Sequence, residues 1–247
     1  MSDKTKKFDT TDILKNKSYA EPSVFQPTNL LRESRRQNEI PLGKVPSVCI
    51  LDPDGTFKVG ELTVGIIPRA VGASYAVLIA EQLFVSGCEL LISITSAGII
   101  KKLNLNKNFA LIIEAIRDEG TSYHYLPKNE SSELCQKLLK KLKNNENLWS
   151  EVKSWTTDAP YRETMSAINE MKKNNVTCVE MEASALYAFA KAKNKEVICF
   201  AHLTNTMAQK EGDFEKGEDH GSPETIKLIE EVIKKMNYPV YFLVIHD

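Results

Sequence analysis

The chain contains no apolar run of 18 residues, and a helix crossing a bilayer needs about 20. Its opening, MSDKTKKFDT, lacks the apolar core of a secretory signal. An excess of one charge is also missing: 32 Lys and Arg against 33 Asp and Glu leave a formal net charge of −1. That balance gives no footprint for nucleic acid or an anionic membrane. The five cysteines, Cys49, Cys88, Cys135, Cys178 and Cys199, form no CxxC pair. Most sit inside runs such as SVCIL and EVICF, as small buried hydrophobes in a reducing compartment do. No Walker A or GxGxxG motif occurs. The acidic stretch Gly212 to Gly221 has neither EF-hand nor zinc spacing, so it reads as a solvated loop and no metal is expected. A cytoplasmic protein without nucleic-acid or membrane partners is the expectation.

What is present is an ordinary soluble composition, 42% apolar and 26% charged. Residues 1 to 27 are polar, aperiodic and carry Pro22 and Pro27, which predicts a flexible arm. Asn29 to Arg36 has the makings of a short basic helix. From Ser47 onward a β/α alternation begins. The β-rich runs are Ser47–Leu51, Leu62–Ile67, Leu90–Thr95, Phe109–Ile116, Val176–Met181 and Glu196–Leu203. Helical spacing joins Ala76, Ile79, Ala80, Leu83 and Phe84, closed by Gly87. It recurs over Leu134, Cys135, Leu138, Leu139 and Leu142. The last helix opens at Ser222-Pro223 and continues through Ile226, Ile229, Ile233 and Met236. Strands alternating with amphipathic helices predict one α/β domain over 28–247, a central, mainly parallel mixed sheet flanked by helices. The apolar Tyr238 to Ile245 suits an added edge strand or a subunit contact equally.

Four segments carry chemistry. VEMEASALYA (Val179 to Ala188) places Glu180 and Glu182 around Met181 where a β-run turns into a helix. A carboxylate beside an apolar wall suits a sugar with vicinal hydroxyls and a developing positive charge, although a Glu in a first helical turn equally favours the helix dipole. Thr95-Ser96-Ala97-Gly98 follows the central run LLISIT. There it is either a tight turn or a loop whose backbone N–H groups approach an anion. AIRDEGTSYHYLP (Ala115 to Pro127) and TTDAPYRET (Thr156 to Thr164) are rich in hydroxyls and aromatics. In them His124 suits a structural hydrogen bond or a proton shuttle; Arg117, Asp118 and Glu119 suit local salt bridges, and Asp158 with Pro160 a helix cap.

Together, from Val48 to Met236, these segments resemble the nucleoside phosphorylase superfamily of purine nucleoside phosphorylase, uridine phosphorylase and methylthioadenosine nucleosidase. The Gly-Thr-Ser-x-His-x-x-Pro arrangement is nearest the uridine phosphorylase branch. The resemblance implies that Glu182 binds the ribose hydroxyls, beside Glu180, and that Met181 packs on the sugar. It places Ser96 at a phosphate-binding hydroxyl, with Thr95 and Gly98 lining the same loop. It turns Gly120, Thr121 and Ser122 toward the base, with the faces of Tyr123 and Tyr125, and gives Arg162 a pyrimidine carbonyl to hold. Asn205 stands where purine-specific relatives carry an Asp; an amide hydrogen-bonds a leaving base but does not titrate.

Two family arginines are missing. Ser93 occupies one position, and the first loop, Leu51-Asp52-Pro53-Asp54-Gly55, lacks the other. Two lost guanidinium forks weaken phosphate binding. Arg69, or Arg32, Arg35 and Arg36 from a neighbouring subunit, would restore it; alternatively Asp52 or Asp54 activates water, as in the family's hydrolases. The expected activity is phosphorolysis of a pyrimidine-like nucleoside by a homodimer or homohexamer, without cofactor and with phosphate as co-substrate. The alternatives are a nucleoside hydrolase and a non-catalytic nucleoside-binding protein.

Overall fold

A computed structural model of the chain describes residues 19–20, 26–29, 32, 45, 47–52, 64–68, 70–101, 108–143, 148–205 and 222–237. Pro27, Thr28, Asn29 and Arg32 are helical. Residues 1–18 and 21–25 of the expected arm, the loop Gly212 to Gly221 and the segment Tyr238 to Ile245 lie outside the described residues.

Among the described residues eight strands form one mixed sheet: β1 (Val48–Asp52), β2 (Gly65–Pro68), β3 (Leu90–Ile99), β4 (Phe109–Asp118), β5 (Ser132–Glu133), β6 (Ser150–Thr157), β7 (Cys178–Glu180) and β8 (Glu196–Asn205). Among the described residues the α-helices that pack with this sheet are α1 (Ala73–Val85), α2 (Gln136–Leu142), α3 (Met165–Lys173), α4 (Ala183–Lys193) and α5 (Ser222–Met236). Five strand pairings are parallel and three antiparallel. The mainly parallel α/β architecture expected from the alternation is what the chain adopts.

The sheet is more closed than the alternation implied. β3 pairs with β8, β8 with β4, β4 with β6, β6 with β7, and β7 returns to β3. β3 and β8 are covered on both faces over most of their length, so Leu90–Ile92 and Val197–Ala201 read as apolar runs rather than as alternations. Ile50, Leu91, Ile92, Ile198 and Phe200 are all buried.

α1 and α4 pack on one another, with the Phe84 and Phe189 rings 5.7 Å apart. α1 ends where predicted. Gly87 takes φ 113°, and Cys88 N–H donates to Leu83 O at 3.0 Å, closing the last turn. α4 is buried through its first seven residues, Ala183 to Phe189, which suits a helix covered on several sides. It stops at Asn194, whose left-handed φ of 52° releases the chain into β8. α5 packs against α2, burying Leu228, Ile229, Val232, Ile233 and Met236.

Candidate functional site

β3 changes neighbours near its carboxyl end. β8 runs along one of its edges from Leu90 to Gly98. On the other edge β1 covers Leu90–Ser93 and β7 covers Gly98 and Ile99, so no described strand pairs with Ile94–Ala97 there. A switch of partner opens a crevice beyond the strand ends, which is where ligands sit in α/β sheets. The expected loop at Thr95–Gly98 is corrected accordingly. These residues continue β3, so alternate amides serve the ladder to β8 while the others face the edge where no described strand pairs. Ser96 is half-buried and stands in register with His202 of β8; Gly98 is matched to Val179 of β7.

Glu182 closes this crevice. It is the N-cap of α4, yet its carboxylate does not cap its own helix. Oε1 accepts from Gly72 N–H at 2.6 Å, just ahead of α1. Oε2 accepts from Thr95 Oγ1 at 2.7 Å and from Met181 N–H at 3.3 Å. Gly72 is required by its backbone: φ is 93° while a Cβ there would meet nothing within 4 Å. Burial first, and then the neighbouring Glu180 charge, push the Glu182 carboxyl up to about 7 against the pull of its three donors. Three separate elements therefore converge on one acid that titrates near neutrality.

Glu180 behaves differently. Its Oε1 accepts from Ser154 Oγ at 3.0 Å and from Thr156 Oγ1, and its Oε2 from the N–H groups of Glu182 and Ala183 at 2.7 Å each. Thr156 and Glu180 are register partners on β6 and β7, so alternation puts Ser154, Thr156 and Glu180 on one face. With every acceptor site in use, Glu180 anchors the start of α4, and the expectation that it contacts substrate is corrected. Burial raises its pKa despite those four bonds.

A third acid, Glu119, was expected in a local salt bridge. It is buried and instead accepts from Thr121 N–H at 2.6 Å, Ser122 N–H at 3.0 Å and Ser184 Oγ at 2.8 Å, tying the Thr121–His124 turn to α4. Arg117, likewise expected in a salt bridge, donates to Ser122 Oγ and to the carbonyls of Leu126, Pro127 and Glu130 at 2.6–2.9 Å. Its guanidinium lies 4.2 Å from the centre of the Tyr123 ring. The tyrosines expected to face a base are thus turned inward. Tyr123 OH donates to Arg117 O, while Tyr125 donates to Glu81 and packs edge-on against Phe189. Ser122 is fully buried. Gly120 N–H is held by Asp158 Oδ2 at 2.9 Å, so Asp158 serves this turn; the helix cap expected of it belongs to Thr164, which accepts from Ala167 N–H. Asp118 accepts from Trp155 Nε1.

The remaining candidates are more scattered. Arg162, in the short turn Pro160–Arg162, is exposed and makes no side-chain hydrogen bond or ion pair with the described residues. His124 is exposed and Met181 half-buried. Asp52 ends β1 and Asn205 ends β8, but their side chains lie outside the described residues, as do Asp54 and Arg69 altogether. Ser93 is buried in β3 between Leu51 and Cys199. Sequence reasoning passed over Gly72, Ser154 and Thr156. The only signal for them was a glycine before a helical pattern and a polar alternation in SEVKSWTT.

No curated protein sequence matches the chain. Among solved structures it is similar to purine nucleoside phosphorylase from Toxoplasma gondii in complex with immucillin-H, at 17% identity and a TM-score of 0.65, covering 79% of this chain and 93% of that one. It is also similar to AMP nucleosidase from Bacteroides thetaiotaomicron, at 17% identity and a TM-score of 0.60, covering 78% and 91%. Uridine phosphorylase from Vibrio fischeri gives 18% identity and a TM-score of 0.57, covering 79% and 91%. At such identities these likenesses speak for the fold alone. The sequence itself carries the assignment further: residues 27–234 match the family model of the phosphorylase superfamily, and the chain belongs to that superfamily.

Proposed function

We propose that the protein cleaves the N-ribosidic bond of a nucleoside with phosphate as the acceptor, and that the base is pyrimidine-like. The observation that supports this reading best is Glu182, a buried acid held by Gly72, Thr95 and Met181 at the crevice beside β3. As the bond between the anomeric carbon and the base nitrogen breaks, its electron pair leaves with the base and the sugar ring gains positive charge. A carboxylate fixed at the sugar hydroxyls stabilises that charge without reorganising. A phosphate oxygen then bonds to the anomeric carbon. In this reading Ser96 and Arg69 meet the phosphate, Arg162 and the Gly120–Thr121 backbone line the base, and Asn205 hydrogen-bonds the departing base. Its amide suits a base that leaves without needing a strong acid.

A second reading, with water as acceptor, is favoured by two observations. Ser93 fills a buried position where a phosphate-gripping arginine would stand, and Arg117 is already engaged by four acceptors. Asp52 or Asp54 would then activate the water. The deciding experiment incubates uridine, thymidine, inosine, adenosine and methylthioadenosine with the protein, with and without phosphate. Phosphorolysis requires phosphate and yields ribose 1-phosphate from the ribonucleosides. Free ribose in phosphate-free buffer, abolished by Asp52→Asn or Asp54→Asn, replaces it with hydrolysis. Binding without release of base replaces both with a nucleoside-binding protein. Self-association is part of the proposal, supported by the exposed Val71, Tyr75, Leu78 and Val85 on and beside α1; sedimentation showing a fully active monomer would remove it.

A further inference from the structure

The same carboxylate that supports the proposed function also limits which sugar it can hold. A carboxylate offers about four acceptor sites, two on each oxygen. On Glu182, Oε2 has both in use, by Thr95 Oγ1 and Met181 N–H, and Oε1 has one in use, by Gly72 N–H. One site on Oε1 remains. A ribose cis-diol grips a carboxylate with two hydroxyls, one on each oxygen, so it would have to displace Thr95. That displacement is opposed, because a hydroxyl bonded to a carboxylate makes a charge-assisted bond roughly twice as strong as a neutral one. Thr95 is itself buried, and its alternative acceptor, Ser96 O, lies at 3.4 Å. We propose that Thr95 is a specificity-determining, positioning residue that occupies half of the Glu182 carboxylate, so that the site favours sugars presenting a single hydroxyl there, the 2′-deoxyribonucleosides.

This inference rests on the proposed N-glycosidic cleavage and is tested with matched pairs: uridine against 2′-deoxyuridine, and inosine against 2′-deoxyinosine. kcat/KM is measured for the wild-type protein, Thr95→Val and Thr95→Ser. The wild type is expected to favour the deoxy member of the pair it cleaves by about tenfold, the scale of one hydrogen bond's difference. Thr95→Val, which keeps the shape and removes the hydroxyl, is expected to bring that ratio near one by raising turnover of the ribonucleoside. Thr95→Ser is expected to retain the deoxy preference. A wild-type preference for ribonucleosides overturns the inference even if no variant folds, and so does an unchanged ratio in Thr95→Val. In both cases base release by the wild type leaves the proposed function standing. Cleavage of none of these four, nor of thymidine, adenosine or methylthioadenosine, overturns the function and this inference together.

Discussion

Glu182 combines two properties that normally oppose one another: it is buried, and it keeps hydrogen-bond donors suited to its charged form. Burial prevails and lifts its pKa to about 7. The ionised carboxylate is the form that stabilises a positive sugar, so kcat/KM is expected to rise with pH through about 7 and then level off. A pH–rate profile between pH 5 and 9 on the cognate nucleoside checks this; a profile flat across that range would detach Glu182 from the chemistry. Glu182→Gln keeps the shape and removes the charge. It should cost about 2–4 kcal/mol of transition-state stabilisation, the range seen when a preorganised electrostatic contact is lost. Turnover within twofold of wild type would remove the assignment.

At the level of elements, the start of α4 is the joint on which the site depends. Its first amides are held by Glu180 of β7, and Ser184 N–H by Thr156 of β6. Glu180→Ala should therefore lower unfolding stability by about 3–4 kcal/mol, since it leaves buried N–H groups unsatisfied and opens a cavity. Urea unfolding measures the loss. Thr164→Ala, which removes only the exposed cap of α3, should cost no more than about 1 kcal/mol. Much of this joint was legible in the sequence, because EME stands where a β-branched run meets a helical one. β6 was not: SEVKSWTT carries serines, threonines and a lysine, and its strand character comes from pairing with β4 and β7 rather than from its own composition. The extent of β3 was misjudged for a related reason. Small residues such as Ser96, Ala97 and Gly98 suggest a turn, but β8 lies alongside and extends the ladder through them. Tyr123 and Tyr125 look like base-stacking residues in a linear reading; only the folded chain reveals that Arg117 and Glu81 claim them.

For the molecule as a whole, the raised pKa of Glu182 makes stability a function of pH. The folded chain holds this proton more tightly than the unfolded chain, so between about pH 4.5 and 7 the native state binds more protons and stability falls as pH rises. The contribution is complete below about 4.5 and lost above about 7, amounting to about 3 kcal/mol. Glu180, raised in the same direction, adds to the slope. Urea midpoints at pH 5 and pH 8 should differ by more in the wild type than in Glu182→Gln; equal differences would place the charge elsewhere. The ring of β3, β8, β4, β6 and β7 has a consequence for life in a crowded solution. Each of its strands is paired on both sides over part of its length, and among the described residues the sheet ends at β2, which finishes in Pro68, and at β5, which is two residues long. Short or proline-blunted borders give another chain little to add onto. Aggregation on heating should therefore begin with the loss of native circular dichroism, not ahead of it, because the sheet borders among the described residues offer little template for fibrous growth.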